Sequence, residues 1–152
     1  MLIVLGFDFG MKHIGIAVGQ SLTGTATPVG TISAQDGIPN WDEIKAYLVE
    51  WRPKQLVVGI PLHMDGTEQP LTHAARRFVD RLIRHFQLPV HPVDERLSSW
   101  EAKQRLRERA QLEKTKDRGK IKTKTRKQQV DDLNACAAAI LVEQWLRDNV
   151  AY

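Results

Sequence analysis

The sequence predicts an α/β layer fold: a mixed five-stranded sheet, three antiparallel strands plus two parallel ones, flanked by helices. Two observations carry this. Short apolar runs rich in β-branched residues and bounded by Gly or Pro recur through the first two thirds of the chain, and from residue 41 they alternate with segments whose apolar residues repeat at helical spacing. The resulting order is βββαβαβαα, in which turns suffice to join the leading strands and helical crossovers reach the later ones.

Leu2 to Asp8 and His13 to Gly19 read as strands, and Phe9-Gly10-Met11-Lys12 between them closes a hairpin. Thr25 to Ser33 adds a third strand. Asn40-Trp41-Asp42-Glu43 has the form of a capping box, and Ile44, Tyr47, Leu48 and Trp51 follow on one stripe, which predicts a helix over about 41–51. Pro53 stops it. Gln55 to Ile60 is a short apolar run of the kind seen in parallel strands covered on both faces, and Pro61 ends it. After a loop over 62–69, Pro70 stands where a first helical turn tolerates proline, and Leu71, Ala74, Ala75, Phe78, Leu82, Ile83 and Phe86 carry the stripe to about 86. Val90 to Asp94 is the last strand. Ser98-Ser99-Trp100-Glu101 is a second capping box opening a charged helix to about 110, and a final helix over about 129–148 buries Leu133, Ala137, Ile140, Leu141 and Leu146. There is no internal repeat.

The 152 residues suit one domain, 1–152, large enough for a core and too short for two enzymatic lobes. Twenty-two Lys and Arg against 18 Asp and Glu give a formal charge of +4 and a pI near 9.4, a mild bias toward a polyanionic partner. The charge is uneven. Residues 114–127 hold eight basic groups against Asp117 alone, so a basic flexible loop over about 111–127 is expected. Cys136 is the single cysteine and lies among alanines, which excludes an internal disulfide and a cysteine-built zinc site. No secretory leader pattern and no run of membrane-spanning length occurs, so a cytoplasmic location without membrane association is expected.

Three acids stand where chemistry would need them. Asp8 ends the apolar run Leu2 to Phe7, Glu95 follows the strand Val90 to Asp94, and Asp131 heads the Ala-rich stretch running to Leu146. An acid at the mouth of a buried strand is costly unless a cation, a proton or a set of donors compensates it. Taken singly, each has an ordinary explanation as a solvated terminus or cap. Jointly, the carboxyl ends of adjacent strands in an α/β sheet meet at one edge. Several hard oxygen ligands converging there could hold two divalent cations about 4 Å apart, which activate water and stabilise the leaving oxygen of a phosphodiester.

The motifs are specific in combination. Asp8-Phe9-Gly10 with Ile14-Gly15-Ile16-Ala17, then Gly59-Ile60-Pro61-Leu62 with Asp65-Gly66-Thr67, then Asp94-Glu95-Arg96-Leu97-Ser98, then Val130-Asp131 before an Ala-rich helix, together resemble the YqgF family. That family is described as pre-16S ribosomal RNA nucleases and as Holliday-junction-resolvase-like proteins. The resemblance covers nearly the whole chain. It implies a ribonuclease H-like fold related to RuvC-type resolvases and a hydrolase processing the 5′ end of pre-16S rRNA in ribosome biogenesis. Carried over by position, it implies Asp8, Glu95 and Asp131 as catalytic and metal-binding residues for Mg²⁺ or Mn²⁺ in a two-metal site. Asp132 beside Asp131 departs from the pattern, and adjacent helical residues point about 100° apart, so only one of the two serves the same metal. Val130 before it and small residues after it favour Asp131. Strand alternation sends Asp94 to the face opposite Glu95.

Other residues carry two readings each. Gly10 could let backbone approach a phosphate or simply make the turn, and Lys12 could contact a phosphate or stay solvated. Arg96, a planar donor fork beside Glu95, could hold the scissile phosphate or orient the carboxylate. Lys120, Lys122 and Lys124 of the basic stretch could reach phosphates, in contacts that weaken steeply with salt. The five histidines have no zinc-building spacing, and Trp41, Trp51, Trp100 and Trp145 fall at helix positions as packing anchors. The leading function is a metal-dependent nuclease on structured nucleic acid, acting as a monomer or weak homodimer, with pre-16S rRNA, branched DNA or a ribosomal particle as partner. The alternatives are a Holliday-junction resolvase and a non-catalytic RNA-binding assembly factor. An actin-like ATPase, suggested by Asp8-Phe9-Gly10, would need two lobes where this length provides one.

Overall fold

The computed structural model describes residues 1–95, 108 and 126–149. Along the chain these form β1 (Ile3–Asp8), β2 (His13–Gln20), β3 (Thr25–Gln35), β4 (Ile38–Pro39), α1 (Trp41–Trp51), β5 (Gln55–Ile60), α2 (Pro70–Phe86), β6 (Val90–Asp94) and α3 (Arg126–Asn149). The strands build one sheet in the order β4-β3-β2-β1-β5-β6. β1 to β4 pair antiparallel in sequence, while β5 runs parallel to β1 and β6 parallel to β5. The sheet is therefore the mixed α/β sheet expected, with six strands instead of five. The added strand is β4, which Asp36 (φ 52°) and Gly37 (φ 79°) create by folding the chain back on the end of β3. Two residues are too few to show a period, although Asp-Gly is itself a hairpin-turn signal.

The last helix starts at Arg126, three residues before the expected position. Of the helix expected over 98–110 only Glu108 is described, and it is helical; the rest of that segment and the basic stretch up to residue 125 lie outside the described residues. Among the described residues, no helix is long and apolar enough to cross a membrane.

Strand alternation sorts side chains into two layers. On one face Leu5 and Phe7 of β1, Ile14 and Ile16 of β2, and Leu56, Val58 and Ile60 of β5 pack with Ile44 of α1 and with Ala74, Ala75, Phe78 and Leu82 of α2. Both helices are fixed at their starts. Asn40 accepts from Asp42 N–H at 2.9 Å, a cap worth about 1 kcal/mol. Ahead of Pro70, the buried Thr72 hydroxyl donates to the Pro61 carbonyl and accepts from Gln69 N–H at 3.0 Å, which ties α2 to the end of β5.

The other face carries small side chains and glycines and takes α3. Val4 and Val57 meet Val142, Trp145 and Leu146, and Ala17 meets Ala138 and Ala139. Between them lie glycines. A β-carbon at Gly6 or Gly19 would overlap Val142, and one at Gly15 would overlap the Asn134–Ala135 backbone. The helix thus rests directly on the strands, with Asn134 above Gly15 and Leu146 near Gly19. Trp145 packs against His91 of β6, with ring centroids 4.9 Å apart and the planes tilted by 31°, a packing role as expected from its helical position.

Candidate active site

Asp8 closes β1 and lies on the α3 side of the sheet, in phase with Val4 and Gly6. Its register partners are Gly15 on β2 and Gly59 on β5, so no side chain flanks it on either neighbouring strand. Glu95 comes directly after β6, continuing the ladder through its N–H to the Ile60 carbonyl at 3.3 Å. It falls in phase with His91 and Val93, which also face α3. Asp94, one residue earlier, alternates to the other side and is exposed, as the strand period requires.

The Asp8 and Glu95 carboxyls meet in a hydrogen bond. Burial raises Asp8 to about 6, offset in part by the bond it accepts from Glu95. Burial, then the Asp8 charge, the hydrogen bond and Asp94 push Glu95 up to about 9. Two acids in one poorly solvated place cannot both ionise cheaply, so at neutral pH the pair shares a proton carried by Glu95. That is also the condition a divalent cation relieves, since it would supply the positive charge that the proton now supplies. The donor set, two hard carboxylates at the carboxyl ends of strands, fits such an ion.

The remaining sequence candidates are placed as follows. Gly10 follows β1, and a β-carbon there would stand 2.5 Å from the His13 carbonyl, so the turn itself uses the missing side chain. Lys12 is exposed in the same turn, and its carbonyl accepts from Ala34 N–H at 2.8 Å. Asp131 lies in the first third of α3, with its side chain outside the described part. Arg96, Lys120, Lys122 and Lys124 lie outside the described residues. Among the described residues, no three His, Cys, Asp or Glu side chains form a metal-binding group.

Two contributors escaped the sequence reading as site residues. Gly15 admits the α3 backbone at the level of Asp8, and the space above Gly59 is filled by Glu95 Oε2 and Leu141. A glycine inside a strand is a sign of close approach, but not of what approaches. A shallow concavity of about 460 Å³ lies elsewhere, at the start of α2, lined by Glu68, Gln69, Pro70, His73 and Arg77. There Glu68 pairs with Arg76 at 2.5 Å and with His73 at 3.5 Å. It contains neither acid and does not belong to the carboxylate pair.

A family model described as "RuvX: Holliday junction resolvase" matches residues 2–148. A protein of Actinobacillus pleuropneumoniae serotype 7 (strain AP76) named "Putative pre-16S rRNA nuclease" is 47% identical over 142 residues, 93% of this chain and 94% of that protein. Proteins of the same name from Coxiella burnetii (strain Dugway 5J108-111) and Shewanella oneidensis are 46% and 56% identical, over 97% and 68% of this chain and 94% and 73% of theirs. Among solved structures, Thermus thermophilus RuvC in complex with a Holliday junction substrate aligns with a TM-score of 0.53 at 17% identity, covering 99% of this chain and 98% of that one. The fowlpox virus resolvase in complex with substrate Holliday junction DNA aligns at 0.52 and 12%, covering 99% and 100%. At these identities the likeness is one of fold, the ribonuclease H-like fold.

Proposed function

Because the chain belongs to the RuvX family, we propose that it is a metal-dependent nuclease that hydrolyses phosphodiester bonds of structured nucleic acid, with the 5′ end of pre-16S rRNA as substrate. The observation that carries this reading is the Asp8–Glu95 pair, two mutually strained carboxyls brought together at the strand-end edge of the sheet. The name borne by relatives that span nearly the whole chain supports the RNA substrate.

Asp8 and Glu95 would hold Mg²⁺ or Mn²⁺, and Asp131 would complete the set. Asp131 is assigned on the family resemblance, from its place at the head of the Ala-rich stretch. Val130 before it and the small residues after it favour Asp131 over Asp132, as the family pattern has them. When bound, the cations supply an activated water and charge stabilisation for the leaving oxygen. The protein's own part is to converge the ligands and to keep them poorly solvated, which strengthens every charge interaction at the phosphate. Glu95 must give up its proton to serve as a ligand, so cation affinity rises with pH toward its raised value. Gly10, Lys12, Arg96, Lys120, Lys122 and Lys124 would guide the phosphate backbone, and the chain would act as one domain in the cytoplasm.

A second reading, cleavage of four-way DNA junctions, is favoured by the family description and by the fold likeness to two resolvases. That activity requires two sites held at a fixed separation in a dimer. Purified protein with Mg²⁺ or Mn²⁺, offered both a pre-16S 5′ leader and a four-way junction, tests the ranking. RNA cleavage that disappears in Asp8→Asn, with RNA binding retained, is expected. Symmetric junction nicking without RNA cleavage would reverse the order, and unchanged turnover of precursor RNA in cells bearing Asp8→Asn would replace both readings with a binding role in ribosome assembly.

A further inference from the structure

Asp8 and Glu95 meet although a strand lies between them. Asp8 is on β1, Glu95 follows β6, and β5 separates the two strands, so their backbones are on the order of 10 Å apart. At the level of Asp8, β5 carries Gly59, and Glu95 Oε2 and Leu141 Cδ1 occupy the place a β-carbon would take. Two residues earlier on the same face stands Val57, packed against the α3 residue Val142 in the way that β5 otherwise meets this helix. Gly59 is not among the residues with positive φ, so backbone conformation does not demand glycine there. Space does.

We propose that Gly59 is a positioning residue for the cation site: its missing side chain is the passage through which the Glu95 carboxyl crosses β5 to reach Asp8. The proposal rests on the reading of Asp8 and Glu95 as the cation-binding pair. A β-carbon at 59 pushes the Glu95 carboxyl back toward β6 and leaves Asp8 to bind alone. Shortening residue 95 offers no remedy, because the reach across a whole strand needs the length of Glu. Gly59 and Glu95 thus act as one device, a notch and the side chain that lies in it.

Four proteins decide the matter: the wild type, Gly59→Ala, Glu95→Gln and the double variant, each checked for a cooperative thermal transition. Mn²⁺ affinity, read by titration calorimetry, should fall at least about tenfold in Gly59→Ala. The double variant should bind within about twofold of Glu95→Gln, because both changes act through the same carboxyl. Wild-type affinity in Gly59→Ala, or an independent tenfold loss added in the double variant, overturns the proposal. Where Gly59→Ala lacks a cooperative transition, Leu141→Val is added to all four, shortening the other side chain in the notch. A metal-free measurement separates this proposal from the nuclease reading. Glu95→Gln should move the ¹³C resonance of the Asp8 carboxyl in the wild-type background and leave it in place in Gly59→Ala. An equal movement in both backgrounds refutes the passage. Absence of Mn²⁺ binding by the wild type would sink the nuclease reading instead, and the carboxyl resonance would then decide the role of Gly59.

Discussion

Replacing Glu95 by Gln should make the metal-free protein more stable and its stability less dependent on pH. In the folded state burial and the Asp8 charge raise the Glu95 carboxyl from 4.5 to about 9, whereas the unfolded chain releases that proton near its ordinary value. Between the two values the folded state binds more protons than the unfolded one, so stability falls as pH rises. Asp8 adds to the fall only up to about 6, where it has released its own proton. From about pH 6.5 to about pH 8.5 one extra proton remains, which corresponds to at most about 1.4 kcal/mol per pH unit. Residual solvent access at the strand ends lowers the raised value and so narrows the window from its upper end, while the slope inside it stays set by that one proton. Gln keeps the shape and an N–H donor for Asp8 but has no proton to lose, so the slope should disappear. Urea denaturation of both proteins in chelator, at several pH values across that window, measures it. The difference between the slopes is the informative quantity, since it cancels the rest of the molecule. Parallel slopes, or a wild type that gains stability as pH rises through the window, would refute the shared-proton account.

Asp8→Asn should remove cleavage by more than the roughly 10–100-fold that loss of an outer partner of a metal ligand costs, in single-turnover assays on equal amounts of folded protein. Thr72→Val deletes a buried hydroxyl that both donates and accepts, and should cost about 1–3 kcal/mol by urea titration. Gly15→Ala drives a β-carbon into the α3 backbone, which cannot swing aside, and should cost at least about 1–3 kcal/mol in melting experiments. Gly30→Ala meets only the Tyr47 hydroxyl, the end of a movable side chain, and should cost less. The reverse order would contradict the close seating of α3.

Elements with a long period were legible in the sequence. α1 announced itself through Asn40 and an apolar stripe, α2 through Pro70 in its first turn and its own stripe, and β5 through an uninterrupted apolar run, whereas the Gln69–Thr72 cap of α2 was not read from the sequence. β4 was not, because its two residues owe their pairing to the left-handed Asp36-Gly37 turn. In the site, the placement of Asp8 and Glu95 at strand ends followed from local pattern. Their contact did not, because it depends on strand order and on Gly59 of a third strand. No window of sequence contains that information. Gly15 and Gly59 stood in motifs that marked the family, yet their physical use is to admit groups more than thirty residues distant.

The glycine-lined face also sets an order of assembly. β1 touches α3 at Gly6 and Val142, contacts separated by nearly the whole chain, while Leu5 and Phe7 on its opposite face are covered by α1 and α2. Loop-closure entropy makes such distant contacts late ones. A chain emerging from the ribosome would therefore complete one half of its core while Asp8 still faced open water, without the helix that encloses it. In such a nascent chain Asp8 is an ordinary solvated acid, and the burial that raises it in the folded protein arrives only with the docking of α3.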